Sequence, residues 1–298
     1  MSSLYHLRKF AFKWIMSISL SFFALPSAYA KESLDIILPR SDAKVDPNEA
    51  YVSELLQLII QHSPRPYRLI YSKGRMEQGR SIYEMTKPDG KIDLLWSMTT
   101  DTREKQLIPI RIPIDKGLIG WRISLIKEKN RSAFSKIKKA EDLKPYTAGQ
   151  GSSWPDVAIL KANQLPVLTS IGYDSLFTML AGERFDYFPR SVFEIWNELK
   201  SHHDQTIEVE QSFILHYPSA CYIFITPRRP QVAEDLRQGF EKIIANGLFE
   251  KLFQHHNQEN IERAKIKQRT VIQLNNPLLN INSMPLKRAE LWFQTPAH

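Results

Sequence analysis

The sequence predicts an α/β protein of two lobes, each a mostly parallel sheet flanked by helices, with two hinge crossings between them. Three observations carry this expectation. Residues 33–96 alternate strand, helix, strand, helix, strand, at spacings that suit parallel strands with right-handed crossovers. The chain has 298 residues, enough for two separate hydrophobic cores. Residues 117–127 (GLIGWRISLIK) read as a strand preceded by glycines, as expected where a chain passes between lobes.

The first 30 residues read as a secretory leader. Arg8, Lys9 and Lys13 form a basic start, residues 14–25 an apolar core, and Ala28-Tyr29-Ala30 a small-x-small cleavage pattern after the helix-breaking Pro26. The apolar core is too short for a comfortable membrane span, and no other stretch approaches 18 apolar residues. The mature chain is therefore expected to be exported and periplasmic. Its 268 residues carry a net charge of +5, spread along the chain rather than clustered, which does not point to nucleic acid. Cys221 is the single cysteine, so an intramolecular disulfide is excluded, and its apolar neighbours suggest a buried structural thiol.

In chain order, 33–39 is the first strand, with Arg40 at its carboxyl end. A helix is expected over 47–61, with Asp46 as its cap, then a strand over 67–71 ending at Tyr71 and a helix over 75–85. The third strand, 92–96, leads into the polar loop Ser97-Met98-Thr99-Thr100-Asp101-Thr102 and then Arg103. Ligands in parallel α/β sheets bind beyond the carboxyl ends of strands. Hydroxyls beside a planar guanidinium suit the capture of a carboxylate. A basic amphipathic helix is expected over 132–141. Next, 149–156 (GQGSSWPD) reads as a glycine-rich turn whose Ser152 and Ser153 cap a helix and whose free N–H groups could meet an anion. It lacks the Lys and Ser/Thr of a P-loop. A strand at 166–168, a helix at 173–181 and a strand at 185–190 ending in Arg190 follow, with Ser191 capping the next helix. One more strand is expected in 207–216, another over 221–226, helical sequence over 230–254, and then a helix and irregular tail to residue 298 pinned by Trp292 and Phe293.

The order of these features resembles the bacterial extracellular solute-binding protein family 3. The features are the strand at 92–96, the Thr-rich loop with Arg103, the crossing strand, Asp142-Leu143-Lys144, the Gly-x-Gly-Ser turn, the LFTMLAGERFD segment (176–186) and the GLFEKLF helix (247–253). The likeness spans about 33–256 and is that of a divergent branch. It implies the type II periplasmic-binding fold, with lobe 1 over 31–118 plus 220–256, lobe 2 over 119–219, and 257–298 packing on the body. It also implies a non-catalytic binder that closes over a small carboxylate-bearing solute for delivery to a membrane transporter. No cofactor is implied, and the chain is expected to be monomeric. Arg103 matches the family's carboxylate clamp, Thr99 or Thr100 the group beside it, Ser152 and Ser153 the donors from the other lobe, and Ser97 and Met98 the loop on the ligand's amine side. The family's acidic residue for the ligand ammonium is replaced by Ser191 beside Arg190, which favours a ligand with two anionic ends or a carboxylate with a hydroxylated or aromatic body.

Alternatives of other classes are a sensing module for a membrane signalling partner, a dehydratase-like enzyme on the same scaffold, and an exported module whose cleft no longer binds tightly. An enzyme would need a cleft acid or base, for which Asp101, Glu77 and His216 are the candidates. The adjacent pairs His202-His203 and His255-His256 lack the spacing of metal ligands.

Overall fold

The computed structural model describes residues 33–43, 48–203 and 206–294. The leader, and the Asp46-Pro47 helix start, lie outside the described residues.

The N-terminal crossover unit forms as expected. Strand β1 (Leu34–Ser41) pairs in parallel with β2 (Tyr67–Met76), and helix α1 (Glu49–Gln61) connects them. Six apolar residues of α1, from Tyr51 to Ile60, are buried along one side, as the 3.6-residue period requires. Both strands run further than expected, so Arg40 and Tyr71 lie within strands rather than beyond them. Helix α2 (Gln78–Thr86) starts at Glu77, whose carboxylate accepts from the N–H groups of Gly79 and Arg80. Strand β3 (Leu94–Met98) then absorbs Ser97 and Met98. The expected loop is therefore short and passes at once into helix α3 (Asp101–Gln106), which carries Arg103 in its first turn. Asp93 ties these pieces together: its N–H donates to Ile37 O at 2.8 Å and its carboxylate accepts from Ile37 N at 3.0 Å.

Beyond α3, β4 (Ile108–Ile110) and a left-handed turn at Lys116-Gly117 lead to β5 (Trp121–Lys127). The helix expected over 132–141 is only the single turn α4 (Arg131–Phe134) followed by a 3-10 turn at Ala140–Leu143. Its lysines lie on a short solvated segment that buries little beyond Phe134, Ile137 and Leu143. The glycine-rich segment forms β6 (Ala148–Gly151), a turn, and then α5 (Asp156–Ala162). Ser152 and Ser153 do not cap α5, whose first turn follows Pro155. Next come β7 (Val167–Ser170), α6 (Tyr173–Ala181), β8 (Tyr187–Ser191) and α7 (Ile195–Ser201). Ser191 is the last residue of β8, not a helix cap; its hydroxyl donates to Leu118 O at 2.9 Å.

The single strand expected over 207–216 is two, β9 (Ile207–Val209) and β10 (Phe213–His216). Glu210 breaks it: its carboxylate accepts from the N–H groups of Ser212 and Phe213 and bends the chain. The return crossing leads to β11 (Cys221–Ile225), α8 (Pro230–Ala245) and α9 (Leu248–Ala264), with Gly247 left-handed between the helices. The segment expected to be an irregular tail contains one more strand, β12 (Thr270–Gln273).

The strands form two assemblies. One holds β1-β2 and β3-β11-β4; the other has the order β12-β10-β5-β8-β6-β7, with β9 also on β5. Pairs within crossover units run parallel, whereas the crossing strands β11 and β5 run antiparallel to their neighbours. After β12 the chain bonds to both assemblies. Asn275 exchanges two hydrogen bonds with Asn163 at the end of α5. Leu278 O accepts from Asp101 N at the start of α3. Phe293 N donates to Lys116 O, and the Trp292 ring lies against Gly117 so closely that a Cβ there would sit 2.8 Å from it. Trp292 and Phe293 do pin the tail, and the place they hold is the crossing.

Candidate functional site

The strand ends of the two assemblies face each other across a cavity of about 450 Å³. Arg40, Tyr71, Ser97 and Met98 line it from the first assembly. Ser153 and Arg190 line it from the second. These six residues are brought together as the sequence suggested. The other five are not at the cavity wall. Thr99 is fully buried and donates to Glu104. Ser191 is sealed against Leu118. Thr100, Ser152 and Arg103 border a separate shallow depression beside α3 and α5.

Arg103 is placed differently from the expectation of an open anion clamp. It is 7% exposed and already surrounded by acceptors. Nη1 donates to Ser97 Oγ and to Met98 O, the latter at 2.7 Å; Nη2 donates to Gln78 Oε1 at 2.7 Å and to Ser153 O at 3.1 Å. Thr100 Oγ1 accepts from Arg103 N as the cap of α3. Burial pulls the guanidinium down to about 10, with Asp156 opposing that shift. Its bonds span the cavity mouth, because Gln78 and Ser153 belong to opposite assemblies. Ser153 Oγ also donates to Glu77 at 3.1 Å, and a Cβ at Gly79 would lie 2.9 Å from Ser153 Cβ. The absence of a side chain at Gly79 permits that close approach.

Arg190 is likewise not a free cation. It is 4% exposed, holds Glu198 through Nε and Nη2, and lies 3.1 Å from Glu194. Its guanidinium stacks 4.6 Å from the Trp154 ring centre. Glu198 also accepts from Tyr173 Oη at 2.7 Å. Deeper still, Arg122 bonds Asp156 at 2.9 Å, Glu194 at 3.2 Å and Tyr217 Oη at 2.8 Å. Burial lowers the Arg122 and Arg190 guanidiniums, but the adjoining carboxylates outweigh it and hold both above their ordinary values. Burial pushes the Glu194 carboxyl up, against the opposing pull of Arg190.

Arg122, Asp156 and Glu194 form this floor, and none was singled out as a ligand contact from sequence. Arg122 alternates with Trp121 and Ile123 on β5 like any strand residue. Only the placement of an arginine inside an otherwise apolar strand signalled a buried network.

The three candidates for an acid or base are dispersed. Asp101 is exposed and accepts from Asn280 N. His216 bonds Gln273 and stacks on Trp121, with ring centres 4.0 Å apart. Glu77 lines the cavity, but both its carboxylate oxygens accept from the start of α2. His202 stacks on Phe177 and His256 bonds Glu54, and no group of three or more metal-ligating side chains occurs among the described residues. Burial pushes the Cys221 thiol up.

No known family model matches the chain, and no curated protein matches it. Solved structures do match in fold. The periplasmic binding protein of Salmonella typhimurium described for high arginine specificity superposes with a TM-score of 0.59 at 13% identity, over 76% of this chain and 100% of that one. A putative L-cystine ABC transporter protein from Listeria monocytogenes gives 0.56 at 15%, over 76% and 96%. An ancestral amino-acid-binding protein, a precursor of cyclohexadienyl dehydratase, gives 0.54 at 13%, over 76% and 95%. The chain thus has the type II periplasmic-binding fold, as the sequence series implied. About a quarter of it has no counterpart in these structures.

Proposed function

We propose that the protein is an exported solute-binding protein that captures one small polar solute between its two sheet assemblies and delivers it to an ABC-type permease. The observation that carries this reading is the cavity of about 450 Å³, walled by residues of both assemblies around a buried charged floor. A concave site with a few convergent polar groups is the usual form of a small-molecule site. Its position at the carboxyl ends of strands agrees with ligand placement in α/β sheets. The fold neighbours with printed transport roles support delivery to a permease.

The two lobes of this reading are 33–118 with 220–256, and 119–219, joined at the Lys116-Gly117 and Pro218-Ser219 crossings. Ligand capture would close them by hinge motion. At Arg103 Nη2 a ligand carboxylate would have to displace Gln78 Oε1 or Ser153 O. Of the three acid or base candidates named for the dehydratase alternative, only Glu77 lines the cavity, and both its carboxylate oxygens cap α2. The leader-like start supports export; among the described residues no helix is long and apolar enough to cross a membrane.

The test is a thermal-shift screen of the refolded, ligand-stripped protein against amino acids, amines, dicarboxylates and sugars. A solute at 100 times its Kd stabilises the folded state by about 2.7 kcal/mol. A saturable stabilisation without turnover of the solute is expected. Turnover would replace the binder with an enzyme, and no stabilisation by any class would remove the proposed role.

A further inference from the structure

We infer that the C-terminal chain is a strap that limits how far the two sheet assemblies can separate, and that its shortest span, residues 275–278, sets the limit. The inference goes beyond the binding role proposed above and does not depend on which solute the cavity takes. The sequence predicts two passages between the lobes, and the structure adds two more. Helix α9 packs on α1 and α8 beside the first assembly. Its last turns reach α7, where Asn260 O accepts from Trp196 Nε1 at 3.2 Å and the Arg263 guanidinium lies 4.3 Å from the Trp196 ring centre. The chain then joins the second assembly as β12, paired with β10. The return passage to the first assembly is the strap.

Its two anchors are close together in sequence and lie on opposite assemblies. Asn275 is fixed to the end of α5: its N–H donates to Asn163 Oδ1 at 2.9 Å, and its O accepts from Asn163 Nδ2 at 2.8 Å. Leu278 is fixed to the start of α3: its O accepts from Asp101 N at 2.9 Å, and Asn280 N donates to Asp101 Oδ1 at 3.0 Å. Between them, Asn276 Nδ2 donates to Pro218 O at the second crossing at 2.9 Å. Three residues of chain reach about 10 Å at full stretch. This span is turned rather than stretched, because Asn276 Oδ1 accepts from Leu278 N at 3.0 Å around Pro277, whose ring fixes φ. Leu278 itself borders the depression between α3 and α5. A hinge opening that carried α5 away from α3 beyond this reach would have to break one anchor. Farther along, Met284 packs with Leu95, Tyr222 and Phe224, Arg288 pairs with Glu241 on α8 at 2.7 Å, and Phe293 N donates to Lys116 O at the first crossing. The strap therefore holds both crossings as well as both assemblies. It keeps in place the direct contacts that Ser153 makes across the cavity to Glu77 and Arg103.

The test lengthens the strap without removing its anchors. Six glycine and serine residues inserted between Asn276 and Pro277 add about 20 Å of reach, a change that surface loops tolerate. Nitroxide labels at Lys73→Cys and Ile171→Cys, both exposed and on opposite assemblies, report the spacing by electron paramagnetic resonance with no solute added. The original strap should give one short distance, and the lengthened strap a second, longer population. Asn163→Ala, which cuts both bonds to Asn275, is an independent variant that should produce the same longer distance. A longer distance in neither variant would overturn the inference, as would an original strap that already populates it as fully as the lengthened one. Because the labels read spacing without a solute, failure here leaves the binding role standing, and a cavity that takes no solute leaves the strap standing.

Discussion

Arg103 and Arg190 show how residue type can be legible while its chemical state is not. Both were singled out as anion-binding groups from their positions after strands, and both lie at the cavity or its mouth. Arg103 takes partners from sequence-distant segments, Gln78 and Ser153, whereas Arg190 takes the distant Trp154 ring and the nearby Glu194 and Glu198. Arg190 and Glu194 are four apart, a spacing that a helix would have brought together, but Ser191 ends a strand and the pairing runs through the turn that follows. Arg103→Ala should lower stability by about 2–3 kcal/mol, since truncation leaves buried acceptors unpaired; denaturant unfolding measures this. Its effect on affinity for a solute that stabilises the wild-type protein should stay under tenfold. A loss of affinity with stability unchanged would return Arg103 to the role of ligand clamp.

A second prediction at this scale concerns pH. Asp115 is fully buried at the first crossing, and its carboxylate accepts from the N–H groups of Gly117, Ile119 and Cys221. Burial outweighs those bonds and pushes its carboxyl up to about 6. A raised carboxyl means that the native state binds the proton more tightly than the unfolded chain. Its contribution to stability is full below about pH 4 and lost as pH rises through about 6, up to about 3 kcal/mol. Asp115→Asn should remove that segment of the stability-versus-pH curve. Equal slopes between pH 4 and 6 for the two proteins would show that Asp115 titrates normally.

At the scale of elements, local signals worked wherever one segment decides its own fate. The crossover unit through β3, α6 and the α8–α9 pair all followed apolar period and glycine or proline punctuation. The misses came from long-range partners or from short-range signals passed over. Helix α3 was legible in Thr100 followed by Asp101 and Glu104, a good cap with acids in the first turn, but was subsumed in a loop. Strand β12 could not be seen in Thr270–Gln273 alone, because four residues make a strand only when β10 offers an edge. If the tail is an integral strand, Ile272→Ala should cost about 2–3 kcal/mol, since Ile272 is 3% exposed against the core. A change below 0.5 kcal/mol in chemical denaturation would make β12 a loosely attached segment. At the crossing, Gly117→Ala would force a left-handed backbone (φ 80°) and a clash with Trp292. A destabilisation above 1 kcal/mol is expected, partly relieved in the double variant with Trp292→Ala.

For the whole molecule, the fold was legible because the order of many weak motifs is constrained by topology even where no single motif is decisive. The bonding of the cavity's arginines was not. Arg103 reaches Gln78 and Ser153 and Arg122 reaches Asp156, Glu194 and Tyr217 across long stretches of chain, and no spacing in the sequence encodes that. The C-terminal segment bonds to both sheet assemblies and to the crossing between them.

The central claim is that one solute occupies the cavity between the two assemblies. Hydrogen exchange read by mass spectrometry, with and without a solute that stabilises the protein, addresses it most directly. The account predicts added protection together in the segments 96–98, 151–156 and 190–194, from both sides of the cavity. Binding that protects only one assembly, or a surface away from these three segments, would contradict it.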